Sequence, residues 1–162
     1  MKKLIFLLFL TLILNSCLKK ENGIDYEFNA IESDDEFLTE IGKVNVNGNS
    51  FVYQPLKSEN EDSDNQDYNY TLEFKNGNTK LFGVNCDLKE EFSVNQFGEQ
   101  TFELYTVNPI GFDNEQKVII SKKLGVLGRK PRFNTITFIL QKVGETELNA
   151  ETKKIFFEKL NE

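Results

Sequence analysis

The chain contains no histidine and no tryptophan, one methionine, three prolines and two cysteines. Without histidine, neither a serine nor a cysteine nucleophile has an imidazole base to activate it. Gly-x-Ser-x-Gly, phosphate-loop and Cys-x-x-Cys patterns are absent as well. Paired carboxylates can hydrolyse a glycoside, but nothing selects one pair among 26 acidic residues. Tryptophan, the usual sugar-stacking platform beside tyrosine, is missing too. The composition points away from catalysis and implies no cofactor, so the chain reads as non-enzymatic.

Long apolar runs are also lacking. The longest, Leu4 to Leu14, is interrupted only by Thr11. As a helix it reaches about 16 Å, roughly half of a hydrocarbon core, where a span needs about 20 apolar residues. It is too short to anchor the chain and suits the h-region of a secretory signal. Lys2 and Lys3 precede it, Leu14-Asn15-Ser16-Cys17 closes it, and a polar, lysine-rich stretch follows. This order of parts is that of a signal peptide, and the Leu-x-Ser-Cys ending resembles the lipobox of bacterial lipoproteins. Asn15 departs from the small or aliphatic residue usual at that position. The resemblance implies cleavage of residues 1–16, lipid attachment to the Cys17 thiol and acylation of the new amino terminus. Leu18 stands where an aspartate would be the inner-membrane retention signal, so the resemblance favours the outer membrane. The partner it implies is the membrane itself, reached through acyl chains on Cys17.

Removal of residues 1–16 takes away two lysines and no acid. That leaves 17 basic against 26 acidic residues, a side-chain charge of -9. Such a domain does not attract nucleic acid overall. The remaining 146 residues suffice for one domain with a real core, and fifteen phenylalanines supply much of it. With Cys17 acylated, Cys86 has no disulfide partner. Its alternation with Phe82, Val84 and Leu88 predicts a buried core thiol.

Residues 18–32 are polar with scattered aromatics and read as a tether. Ser33-Asp34-Asp35-Glu36 matches a capping box, which predicts a short helix over 34–41, with Phe37, Leu38 and Ile41 on its apolar side. From residue 43 the period is two. Residues 43–54 read as a hairpin about Asn47-Gly48-Asn49. Tyr68, Tyr70, Leu72 and Phe74 alternate with polar residues before an Asn76-Gly77 type I′ turn, and Phe82 to Leu88 return. Residues 92–107 form a third pair turning at 96–99, and Asn108-Pro109-Ile110-Gly111 interrupts the ladder. Strands follow at 118–121, 124–128 and 133–143, the last apolar on both faces and so central or covered on both sides. Asn149 caps a closing helix over about 150–160, with Ile155, Phe156 and Leu160 on its apolar side.

The fold class is therefore mainly β: an antiparallel meander of about eight or nine strands, closed as a barrel, half-barrel or sandwich. A short N-terminal helix and a C-terminal helix packed on the sheet complete it. The expected segments are a signal at 1–16, a lipid-attachment cysteine, tether and helix at 17–42, and one β-rich domain at 43–162. The strands-then-helix order is similar to that of lipocalins, but their Gly-x-Trp opening is absent. Ser121-Lys122-Lys123-Leu124-Gly125-Val126-Leu127 resembles a turn of small β-rich envelope lipoproteins.

Two constellations qualify as sites. Asp62, Asp64, Gln66 and Glu73 fall at positions 1, 3, 5 and 12 of a calcium-loop spacing. Asp67 occupies the sixth place, which requires glycine, so the 57–69 segment is expected to be a solvated loop rather than a metal site. The second is basic: between Gln116 and Gly144 there are seven basic residues and no acid. Lys122, Lys123, Arg129, Lys130 and Arg132 form a candidate patch for an anionic partner, an acidic envelope protein or an anionic glycan. Alternatively these cations pair across strands with acids such as Glu103. Together these features predict an outer-membrane-anchored binding or interaction module, or else a carrier holding an apolar ligand inside a Phe-rich barrel or half-barrel.

Overall fold

The computed structural model describes residues 23–32, 35–56, 69–108, 115–132 and 135–162, the side chains of 37–39 aside. Their backbone forms twelve strands in one antiparallel sheet and one α-helix. The first run comprises β1 (Ile24–Glu32), β2 (Asp35–Asn47), β3 (Ser50–Pro55), β4 (Tyr70–Lys75), β5 (Asn78–Leu81) and the two-residue β6 (Val84–Asn85). The second comprises β7 (Asp87–Ser93), β8 (Thr101–Val107), β9 (Gln116–Ser121), β10 (Gly125–Pro131), β11 (Thr137–Val143) and the short β12 (Thr146–Glu147), then α1 (Ala150–Asn161). Each run is a meander, and β1 joins them by pairing with β11 as well as β2. At the other end of the strand order, β6 and β7 are linked through Cys86, whose N–H donates to Thr79 O at 2.8 Å. The result is a nearly closed, barrel-like sheet. Closure of this kind hides most strand edges.

Local chemistry explains the tight turns. Asn76 and Gly77 both have positive φ, 55° and 79°, as the type I′ turn demands. The turn between β2 and β3 falls within the expected Asn47-Gly48-Asn49, at Gly48-Asn49, with Asn47 paired to Ser50. A second positive-φ pair at Phe82-Gly83 (55° and 77°) folds β6 back on β5. The run 82–88 is therefore not one returning strand. Phe82 is a bulky residue in a region such residues rarely adopt, and its ring packs 5.2 Å from that of Tyr70.

Three expectations about the chain's first third need correction. The structure has no helix over 34–41, because residues from Asp35 onward are β2. Eight residues are too few to hold a helix without tertiary support, whereas as a strand they pair with β1 from Glu32↔Asp35 to Ile24↔Val44. Ile24–Glu32, expected to be tether, is the central strand that joins the two meanders. No boundary falls at 42, since β2 runs through it. Among the described residues the strand count is twelve rather than eight or nine, partly for the same reason. The closing helix is as expected: Asn149 Oδ1 accepts from Thr152 N–H at 2.8 Å, and Thr152, Phe156 and Leu160 are buried.

Cross-strand pairs separate two packed faces. The inner one carries Phe28 opposite Leu140, Phe51 opposite Leu72, and Tyr105 opposite Val118. Four of the five tyrosines, Tyr26, Tyr53, Tyr70 and Tyr105, are buried there. Gly125 lets one of them close in: Val126 N–H donates to Tyr53 Oη at 2.7 Å, where a Cβ on Gly125 would stand 2.2 Å from that oxygen. The outer face over β8–β11 is covered by α1. Phe156 packs on Phe102 at 5.5 Å, and Leu160 sits over Gly128 and Ile139. Burying Phe156 and Leu160 contributes about 1.5–3 kcal/mol each.

Candidate functional site

Two polar clusters break the apolar inner face. The first is centred on Glu40. Arg129 Nη2 donates to Glu40 Oε2 at 2.6 Å, while Tyr26 Oη and Tyr70 Oη donate to Oε1 at 2.9 and 3.3 Å. The guanidinium lies 4.7 Å from the centroid of Phe138, 5.7 Å from Tyr70 and 5.9 Å from Phe28, within cation–π range. Tyr53 stacks on Tyr70 at 4.5 Å. Burial raises the Tyr26, Tyr53 and Tyr70 hydroxyls well above the ordinary phenol value, and the Glu40 carboxylate adds to the rise. These groups are held neutral. Burial works against the Arg129 charge, but Tyr70 and Glu40 outweigh it. Nearly every polar group here has a partner inside the protein, so the cluster is a structural brace.

The second cluster lies on an opening. The β4–β5 hairpin turns at Asn76-Gly77 and β5 has only four residues, whereas β7 has seven. Beyond Asp87, β7 therefore outruns its neighbour on that side. A cleft of about 610 Å³ fills the notch. Phe74, Lys75 and Thr79 of the hairpin form one wall, Cys86, Leu88 and Glu91 the other, and Glu103 and Tyr105 of β8 the floor. Tyr105 Oη donates to Glu103 Oε2 at 2.9 Å and shares a 2.8 Å hydrogen bond with Thr79 Oγ1. Lys122 Nζ reaches Glu103 Oε1 at 2.9 Å from the rim. Glu103 is only 6 % exposed, so the cleft has a nearly buried carboxylate at its base. Burial, reinforced by Glu103 and opposed by Thr79, pushes the Tyr105 hydroxyl up to about 12. Burial and Asp87 push the Cys86 thiol up to about 11, which leaves it protonated and a poor nucleophile at neutral pH. Among the described residues no three His, Cys, Asp or Glu side chains group to hold a metal. The cleft is built for hydrogen bonding and contact, with a size in the range of small-molecule sites.

The structure disperses the basic residues singled out from the sequence. Arg129 points inward to Glu40. Lys122 pairs with Glu103, the acid named for the cross-strand alternative. Arg132 pairs with Glu115 at 3.4 Å, and Lys130 hydrogen-bonds the Asn161 side chain. Lys122 and Lys123 precede β10, Lys130 lies near its end and Arg132 just beyond it, so five strand residues, roughly 17 Å, separate the two pairs. Of the calcium-spaced residues, Glu73 is exposed on β4 opposite Ser50 and Lys80. Asp62, Asp64 and Gln66 lie outside the described residues, as does Cys17. Cys86 is half-buried at the cleft wall rather than in the core. Tyr105 was not singled out from the sequence, and Glu103 was named only as a cross-strand partner for the lysines, not as part of a site. One signal was available: the period of β8 puts Glu103 on the face of Tyr105 and Val107, where a carboxylate is out of place.

No family model matches the chain, and no curated protein or solved structure matches it either.

Proposed function

We propose that the chain is a lipid-anchored binding protein of the bacterial cell envelope, held at the outer membrane through Cys17 and without catalytic chemistry of its own. Its ligand is taken at the cleft over Glu103 and Tyr105. One observation carries this reading: beside β7 the sheet opens at a notch whose floor presents a carboxylate, a phenol and a hydroxyl in one hydrogen-bonded set. The interior is a poorer place for a ligand, because Phe28, Tyr53, Leu72, Leu81 and Leu140 are 0–1 % exposed and pack on one another.

The topology supports one orientation for such an anchor. β1 begins at the end of the barrel that carries the Gly48-Asn49 and Asn76-Gly77 turns. Five residues lie between Cys17 and Gly23, and a chain of that length spans at most roughly 22 Å. An acylated Cys17 would hold the cleft end near the bilayer, where the ligand is met. Lys122, exposed at the rim and bonded to Glu103, is the group a cationic ligand displaces.

Native mass spectrometry of the protein extracted from its own membrane tests both halves. The expected spectrum shows acyl chains on Cys17 and a bound species that is lost in Glu103→Gln and Tyr105→Phe. An unmodified Cys17 removes the envelope reading. A bound species retained by both variants removes the cleft.

A further inference from the structure

We infer that the free edge of β7 takes up an extended polypeptide segment as an added strand, lying in the notch between β7 and the β4–β5 hairpin. This rests on the cleft being the binding site and names the class of ligand. β7 pairs with β8 along its whole length, from Asp87↔Thr106 to Ser93↔Thr101. On its other side, pairing ends with the Cys86–Thr79 bond, and from Leu88 to Ser93 no strand lies alongside among the described residues. A bulge between Leu88 and Glu90 twists the start of the strand, which leaves Glu90 to Ser93 as regular edge. Edge N–H and C=O groups are a template for another chain, and proline, a covering element, a bulge or edge lysines blunt them; Lys89 and the bulge guard only the start of β7. Here β7 contains no proline, and none of its residues is buried. Strand addition uses such an edge for affinity and the flanking side-chain pockets for specificity.

The side chains on the notch side define the segment. Leu88, 50 % exposed, meets Phe74 and Cys86 in an apolar corner. Glu91 is the next inward-facing residue beyond the bulge, and it has no ion-pair partner among the described residues. Its outward neighbour Glu90 is already neutralised by Lys159 at 2.7 Å. Charge complementarity therefore selects a segment with an apolar residue against Leu88 and a basic residue two positions along against Glu91. Lys75 stands on the far side of the notch and repels a second cation, so one basic residue is accommodated.

The test uses the full chain in detergent micelles and a synthetic peptide, acetyl-Thr-Val-Thr-Lys-Thr-amide. Amide hydrogen exchange is followed along β7. On saturation, exchange slows tenfold or more at those amides of Glu90 to Ser93 that point away from β8, with Thr71 and Glu73 on β4 unchanged. Methylating the peptide's own backbone nitrogens abolishes binding. Glu91→Lys weakens it tenfold or more, Glu91→Gln less, and neither shifts the melting curve of this exposed position. No binding, binding without protection in β7, or equal binding of the methylated peptide overturns strand addition. In each of those cases a ligand from the membrane extract that Glu103→Gln still releases keeps the cleft reading standing, so the two can fail separately.

Discussion

Arg129 and Glu40 meet inside the barrel at 2.6 Å although 89 residues separate them in the chain. Their side chains are 18 % and 16 % exposed, and aromatic rings surround the guanidinium. The pair fastens β10 to β2 across the inner face, with Tyr26 and Tyr70 occupying the remaining carboxylate oxygen.

Arg129→Met leaves that carboxylate without its cation and costs about 3 kcal/mol, the usual consequence of removing one partner of a buried pair. Denaturant unfolding measures it. Arg129→Met combined with Glu40→Leu regains most of the loss, because no charge is then stranded. A single variant within about 0.5 kcal/mol of the parent, the range of ordinary surface changes, would show that the brace contributes little.

Gly128→Val tests the docking of α1. A Cβ there stands 2.9 Å from Leu160 Cδ1 and 3.3 Å from Ile139 Cδ1, so the helix must move outward. Overpacking of this kind costs about 1–3 kcal/mol. Retained stability together with unchanged burial of Phe156 would show that the helix seat is looser than the distances imply. The helix content by circular dichroism is expected to persist, since the Asn149 cap is untouched.

The alkaline limb of stability follows from raised pKa values. Burial shifts Cys86 from 9.0 to about 11 and Tyr105 from 10.0 to about 12. In both, folding favours the neutral form. Its contribution is complete below the unfolded-state value and disappears as pH rises through the folded-state value. Stability should be level up to about pH 9 and fall between about pH 9 and 12, with tyrosinate absorbance appearing together with unfolding. Tyr26, Tyr53 and Tyr70, raised further, sharpen that coincidence. Tyr68 lies outside the described residues, so the measurement is made on Tyr68→Phe, where tyrosinate that forms near pH 10 in the folded protein would contradict the burial of these hydroxyls. By the same logic, alkylation of Cys86 at pH 8 should run at least about tenfold slower than that of an unhindered thiol.

Much of the sheet was legible because its signals are local. The alternation of Tyr70, Leu72 and Phe74, the Asn76-Gly77 turn and the Asn149 cap each act within a few residues, and each is found where the pattern put it. Residues 35–41 misled because a capping box and an i, i+4 pair also act locally, while the pairing of β1 with β2 that overrides them is tertiary. Arg129 lay in a run with no acid between Gln116 and Gly144, so nothing nearby announced that it turns inward. Its partner is on the second strand. The cleft was least legible of all, since it arises from a mismatch in length between β5 and β7 that no segment contains alone.

The central claim is that the notch beside β7 is where this protein meets its ligand, and site-specific photo-crosslinking in intact cells tests it most directly. A photoreactive residue at Leu88, half-exposed within the cleft, is predicted to capture a discrete species that Glu103→Gln diminishes. The same residue at Gln54, exposed on the sheet's outer face, is predicted to capture none of it. Equal capture at the two positions, or none at Leu88, would contradict the account.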